Sequence, residues 1–158
     1  FKKIGEFYGG DVTASSGFNN INTTRTNHFT VKISNSDLIN NAPKNVTFSA
    51  GNIAYLSYSN LESKKAEYDL FNVVIALNTN ETRSFTFTKD QLIQNEQIIK
   101  VLDNFNSFII RKNYQDLLSI SNTKFINSEQ VYSDIFNKLY IDFGDIKQIQ
   151  YQGFEFQE

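Results

Sequence analysis

Alternating apolar and polar residues predict three β-strands in the first ninety positions. Residues 28–34 place three apolar side chains on one side of the chain, which is the period of a half-buried strand. Residues 66–77 are apolar on both sides, which is typical of a central strand. Residues 83–88 follow after a polar turn and alternate again. These last two segments are therefore predicted to form a hairpin.

Helical spacing dominates the second half of the chain. Thr88 and Gln91 fit a capping box, and the apolar residues that follow at intervals of three and four predict a long helix. Residues 113–120 predict a short helix, and a second capping pattern at Asn127 opens a third one that Gly144 ends. The third helix has a broad apolar face that contains Val131, Tyr132, Ile135, Phe136, Leu139 and Tyr140.

Three further segments complete the order. Residues 1–27 are rich in Gly, Ser, Thr and Asn, and we expect an irregular N-terminal arm there. Residues 46–61 fit both a helix and two strands around Gly51; a helix over about 48–62 is preferred because its apolar residues follow helical spacing. Residues 146–156 predict a closing strand. Four apolar side chains of the arm are candidates to dock on a core: Ile4, Phe7, Tyr8 and Phe18.

A chain of 158 residues is long enough for one ordinary domain. With no linker between separate cores, the sequence predicts a single α+β domain over residues 1–158, in the order β-α-β-β-α-α-α-β. Fifteen Phe and eight Tyr suit a sheet packed against helices, because aromatic side chains bury large areas.

The helical half resembles the helices of small bacterial cystatin-like, NTF2-like domains. The residues that carry the resemblance are Tyr114, Leu117, Leu118, Ile135, Leu139, Gly144 and Ile146. The resemblance implies a curved antiparallel sheet packed against helices, with N-terminal strands completing the sheet. It also implies either a binding module or an isomerase or hydratase with a carboxylate or His in a conical pocket. No catalytic motif of those enzymes can be placed on this chain.

Composition excludes several classes of site. The chain has no Cys and one His, which excludes disulfides, thiol nucleophiles and metal sites rich in Cys or His. The net charge of -2 provides no basic footprint for nucleic acid. No apolar run approaches the roughly 20 residues that span a bilayer. We predict no cofactor and no metal.

Candidate chemical groups are few. His28, Asp69 and Asp103 are candidates for acid–base work, since burial shifts such pKa values, but turned-out or capping side chains are the commoner outcome. A carboxylate cluster near Gly144 is a candidate for Ca²⁺, with a solvated acidic end as the preferred alternative. That cluster comprises Asp142, Asp145, Glu155 and Glu158.

Aromatic residues provide the candidate ligand site. Tyr55 and Tyr58, together with aromatic residues of the third helix and the closing strand, are expected to pack in a core or to line an apolar pocket with polar tips. The pocket is expected between the third helix and the closing strand, and the predicted ligand-binding residues lie on these two elements: Tyr132, Tyr140, Tyr151 and Phe154.

These observations favour a non-enzymatic domain that binds an unknown protein or a small apolar ligand. A second copy joined through the sheet is a further candidate partner. The abundance of Asn, Ile and Lys, with only three Arg, indicates an AT-rich bacterial source. The chain lacks Met even at position 1, and removal of a signal peptide or of a lipid-carrying segment would explain this and predicts export. A cloning boundary or proteolysis is the alternative explanation. The alternative functions are an NTF2-like isomerase or hydratase that acts on a small apolar ligand, and a cytoplasmic partner-neutralising protein whose acidic end faces a basic target.

Overall fold

The computed structural model of the chain describes residues 2–21, 24–121, 126 and 128–149. Backbone contacts divide these residues into two compact units, with the boundary between Glu96 and Gln97. Each unit has its own cluster of buried apolar side chains. No helix in the described part of the chain is long and apolar enough to cross a membrane.

The first unit is built on a four-stranded mixed sheet in the order β1-β2-β3-β4. The strands are β1 (Asp11–Ile21), β2 (Thr24–Ser34), β3 (Leu70–Ala76) and β4 (Thr82–Thr88). β1 and β2 are antiparallel, as are β3 and β4, whereas β2 and β3 are parallel. The α+β class and the β3–β4 hairpin are therefore confirmed.

The prediction of a wholly antiparallel sheet is wrong. Between β2 and β3 the chain forms α2 (Asp37–Asn40), a 3₁₀ turn that Pro43 opens, and α3 (Val46–Asn60), which packs on β3. A crossover of this kind returns the next strand in the same direction as the previous one.

Helix α3 supplies most of the cover for the sheet. Ala50, Ile53, Ala54 and Tyr58 of this helix are buried with the inward side chains of the strands. Gly51 is buried as well. The helix predicted for this segment is confirmed, and the alternative of two strands is wrong.

The prediction of an irregular arm over residues 1–27 is also wrong in the described part. Helix α1 (Lys2–Tyr8) buries Ile4 and Tyr8, which lie four residues apart on one face. Gly9 and Gly10 have φ values of 66° and 77°, which let the chain turn at once into β1. Phe18 does not dock on the core, because 53% of its surface is exposed.

The second unit contains most of α4 (Lys89–Ile110), with α5 (Tyr114–Ser119) and α6 (Glu129–Phe143). The capping box that opens α4 is confirmed, since the Thr88 N–H donates to Gln91 Oε1 at 2.9 Å and the Gln91 N–H donates to Thr88 Oγ1 at 3.3 Å. α6 ends as predicted at Gly144, whose φ is 83° and whose N–H donates to the Tyr140 carbonyl.

Two predicted features fall wholly or partly outside the described residues. Asn127, the predicted start of the third helix, is one of them. Residues 144–149, which include the start of the predicted closing strand, have no regular secondary structure, and residues 150–156 lie outside the described part.

Candidate functional site

An aromatic ladder organises the second unit. We use this name for Tyr114 of α5 and Tyr132, Phe136 and Tyr140 of α6. The Phe136 ring stacks on Tyr114 and Tyr132 with centroids 6.1 and 6.4 Å apart, and its centroid lies 6.5 Å from that of Tyr140. The α6 members follow a spacing of four residues, so one face of the helix presents all three rings. The structure thus brings the predicted site residues Tyr132 and Tyr140 onto one face.

The polar tips of the ladder make internal hydrogen bonds. The Tyr132 hydroxyl donates to Ser121 Oγ, and the Tyr140 hydroxyl donates to the Ile109 carbonyl at 2.9 Å. Burial, followed by the neighbouring Tyr114, raises the pKa of Tyr140 to about 12. Both hydroxyls therefore hold α6 to neighbouring segments. Tyr151 and Phe154, the other two predicted ligand-binding residues, lie outside the described part of the chain.

A lysine closes one end of the ladder. Lys112 Nζ lies 4.3 Å from the centre of the Tyr140 ring and 2.8 Å from Asp145 Oδ1. Its hydrogen bond and positive charge lower the pKa of the Asp145 carboxyl. Asp145 is therefore paired with a cation, and Asp142 is exposed. Of the proposed Ca²⁺ cluster, Glu155 and Glu158 lie outside the described residues, and no group that could hold a metal ion occurs among the described ones.

A second apolar row on α6 faces solvent. It consists of Val131, Ile135, Leu139 and Phe143, whose exposed fractions are 38%, 47%, 37% and 84%; we call it the α6 stripe. These residues are spaced by four and lie beside the aromatic ladder on the helix surface. The sequence showed the broad apolar face of this helix, but the pattern could not tell which part of that face is covered.

Charged residues border the stripe on its other side. Asp134, Lys138 and Asp142 are also spaced by four, and all three are exposed. Going around α6, the surface therefore changes from wholly or partly buried aromatic rings to exposed apolar side chains to alternating charge. This arrangement provides an apolar contact row with a polar edge that can fix the register of a bound surface.

His28, the candidate base, packs on a glycine. It pairs with Gly17 across β1 and β2, and a Cβ at Gly17 would lie 2.6 Å from His28 Nε2. Nδ1 of His28 is buried without a hydrogen-bond partner in the described structure. Gly17 thus provides the space for the His28 ring.

Asp69 caps the sheet. Its Oδ2 accepts from the Asn27 N–H at 2.8 Å, and its own N–H donates to the Asn27 carbonyl at 2.9 Å. A shallow depression of about 170 Å³ lies beside it, lined also by Thr88, Lys89 and Asp90. Asp103, the other candidate acid, is an exposed residue of α4. The geometry therefore gives Asp69 a backbone partner and leaves Asp103 in solvent.

The first unit contains a buried polar network that the sequence pattern did not predict. The Asn52 side-chain amide donates to the Tyr8 hydroxyl at 2.8 Å, and the Ser36 hydroxyl donates to the Tyr8 carbonyl at 2.6 Å. Burial raises the pKa of Tyr8 to about 12. Tyr58 belongs to the same core and makes an edge contact with Phe71, and Tyr55 is partly buried against that core. The hydrogen bonds that Asn52 and Ser36 make to Tyr8 join α1, α2 and α3.

No family model, curated protein or solved structure matches the chain.

Proposed function

We propose that this chain is a non-enzymatic interaction domain that binds a partner protein through the α6 stripe. The observation that carries the proposal is the row of four aliphatic and aromatic side chains on one helix, all more than a third exposed. Scattered apolar residues on a surface need no explanation, whereas contiguous apolar rows rimmed by polar residues mark interaction sites.

The structure of α6 supports a helix-in-groove mode of binding. In that mode an amphipathic helix inserts apolar anchors spaced by three or four residues into a hydrophobic groove of its partner. The stripe supplies four anchors spaced by four, and the aromatic ladder behind it fixes the helix through the Tyr132 and Tyr140 hydrogen bonds. A helix that is already held in place loses less conformational entropy when it binds.

The charged edge specifies what the partner must present. The exposed series Asp134, Lys138 and Asp142 alternates in sign, so a matching groove carries a basic, an acidic and a basic group along one rim. Charge of this kind contributes more to register and specificity than to affinity. Export of the protein and its cystatin-like resemblance remain predictions from the sequence alone.

Site-specific photo-crosslinking in the native host tests the proposal. A photoreactive residue replaces each α6 position in turn from Gln130 to Phe143. We expect one protein to be captured from positions 131, 135, 139 and 143, and capture to fail from Gln130 and Asn137, which point away from the stripe. Capture without this period of four, or capture mainly from positions in β4 used as a control, would refute the proposed surface.

A further inference from the structure

The outer edge of β1 is the least protected surface of the sheet. β1 is eleven residues long, and on its outer side no strand of the described sheet pairs with it. From Val12 to Ile21 it contains neither a charged residue nor a proline. Natural proteins usually protect such edges with charges, prolines or bulges, because a free edge can pair with another strand.

The opposite edge of the sheet carries the protection that β1 lacks. β4 is seven residues long, and its Arg83 pairs with Ile75 on the side of the sheet that also bears Phe85 and Phe87. Arg83 also forms an ion pair with Glu81, with Nε 2.7 Å from Oε1. A second strand is therefore favoured at β1 and opposed at β4.

We propose that β1 pairs in antiparallel orientation with β1 of a second copy of this chain, about a two-fold axis at Ser15. An isologous contact of this kind requires a strand that is its own complement. The absence of charge between Val12 and Ile21 meets this requirement, since no like charges are brought together.

The side chains select the axis at Ser15. Val12 and Phe18 lie on the side of the sheet that carries Phe29 and Ile33, because they pair in register with that side of β2. An axis at Ser15 places Phe18 of one copy directly opposite Val12 of the other. Phe18 is 53% exposed, with Arg25 stacked on its ring at 4.3 Å, so the pairing covers an apolar surface that is open in the single chain.

The same axis places Asp11 opposite Asn19 of the second copy. Asp11 is the only charged residue of β1, and this register gives it an uncharged neighbour. Pairing over residues 11–19 extends about 30 Å along the strand, and an edge contact of this length is smaller than the roughly 800 Å² per partner of a standard interface. The dimer is therefore weak and dependent on concentration.

Two matched substitutions on one face of β1 test the register. Ser15 and Asn19 are both exposed, lie on the same face and are both replaced by Lys. Ser15→Lys brings two ammonium groups together at the axis and weakens the dimer, whereas Asn19→Lys faces Asp11 of the second copy and strengthens it. Cross-strand charge pairs of this kind change the dissociation constant by about two- to tenfold. Asn19→Asp faces the same Asp11 and weakens the dimer.

Sedimentation equilibrium of the full 158-residue chain over a wide concentration range measures these changes. Thermal melting by circular dichroism confirms that each variant folds. A monomer at all concentrations overturns the inference, as does a shift in the same direction for Ser15→Lys and Asn19→Lys. Open-ended assembly instead of a dimer indicates pairing of β1 with β4 and also overturns it. Ile135→Lys, in the α6 stripe, leaves the dissociation constant unchanged; if it abolishes the dimer, the contact lies on α6.

Discussion

Replacing Tyr8 with Phe removes one hydroxyl from the core of the first unit. Tyr8 is 2% exposed, and Asn52 is 5% exposed. The hydroxyl accepts the Asn52 amide at 2.8 Å and lies 3.4 Å from the Ser49 carbonyl. Tyr8→Phe takes this acceptor away from a buried amide. Because a buried donor that loses its partner costs about 1–3 kcal/mol, we expect the free energy of unfolding to fall by about 2 kcal/mol near neutral pH.

A second signature comes from the pKa of Tyr8, which burial raises from 10.0 to about 12. The folded state therefore holds its phenol proton more tightly than the unfolded state. That contribution is fully present below pH 10.0 and is lost as the pH rises towards about 12. Since a tenfold change in proton affinity is worth about 1.4 kcal/mol, the loss amounts to about 2–3 kcal/mol. The Phe variant has no phenol to ionise, so the difference in free energy of unfolding between the two proteins shrinks between pH 10.0 and about 12.

Urea denaturation followed by circular dichroism measures both effects. The assay compares the wild type, Tyr8→Phe and the control Tyr68→Phe at pH values from about 8 to about 11.5. Tyr68 packs edge-on against Phe29 and Phe71, and its substitution is expected to cost less than about 0.5 kcal/mol. A loss of equal size in both variants, or a wild-type gap that stays constant through alkaline pH, would refute the role given to the Tyr8 hydroxyl.

Three further predictions concern single contacts. Gly17→Ala should lower the free energy of unfolding by about 1–2 kcal/mol because its Cβ overlaps the His28 ring. In a double-mutant cycle, His28→Ala should restore most of that loss. An unchanged melting temperature for Gly17→Ala would contradict the packing. Gln91→Ala should cost about 0.5–1 kcal/mol by opening the cap with Thr88, measured against the exposed control Gln94→Ala. Tyr140→Phe should reduce the alkaline loss of stability, since burial raises the pKa of Tyr140 to about 12 and its neutral phenol is favoured until the pH passes that value; an identical pH profile for variant and wild type would argue against it.

Sequence periodicity predicted the elements that are buried on one side. The residues of β2 and β4 alternate between apolar and polar because one face of the sheet meets α3 and the other does not. The start of α4 is visible in its capping box. Where a pattern of apolar residues coincides with a single covered face, the period of the element is visible in the sequence.

Other elements have physical reasons for being hidden. α3 buries Ala50, Gly51, Asn52, Ile53 and Ala54 in succession, so its helical period is blurred and a two-strand alternative remained open. β1 is a polar strand that pairs with β2 along its whole length through the backbone, and backbone hydrogen bonds leave no trace in the residue types. Composition alone therefore marked that segment as irregular.

The sequence predicted only part of the candidate site. Spacing placed Tyr132 and Tyr140 on one helix face, which the structure confirms. It could not show that the ladder is occupied by internal hydrogen bonds while Ile135 and Leu139 beside it stay exposed. Which apolar row is covered depends on the tertiary packing of α5 and α6.

The affinity of the captured partner for the wild-type chain, the Ile135→Lys variant and the Asn137→Lys variant tests the interaction surface most directly. Ile135, which is 47% exposed, contributes about 1–1.5 kcal/mol when the rest of its side chain is buried. Ile135→Lys should therefore weaken binding by about five- to tenfold, while Asn137→Lys, which adds the same charge on the far side of α6, should change it less than about twofold. Equal affinity for all three chains, or an equal loss in both variants, would show that the partner does not bind the α6 stripe.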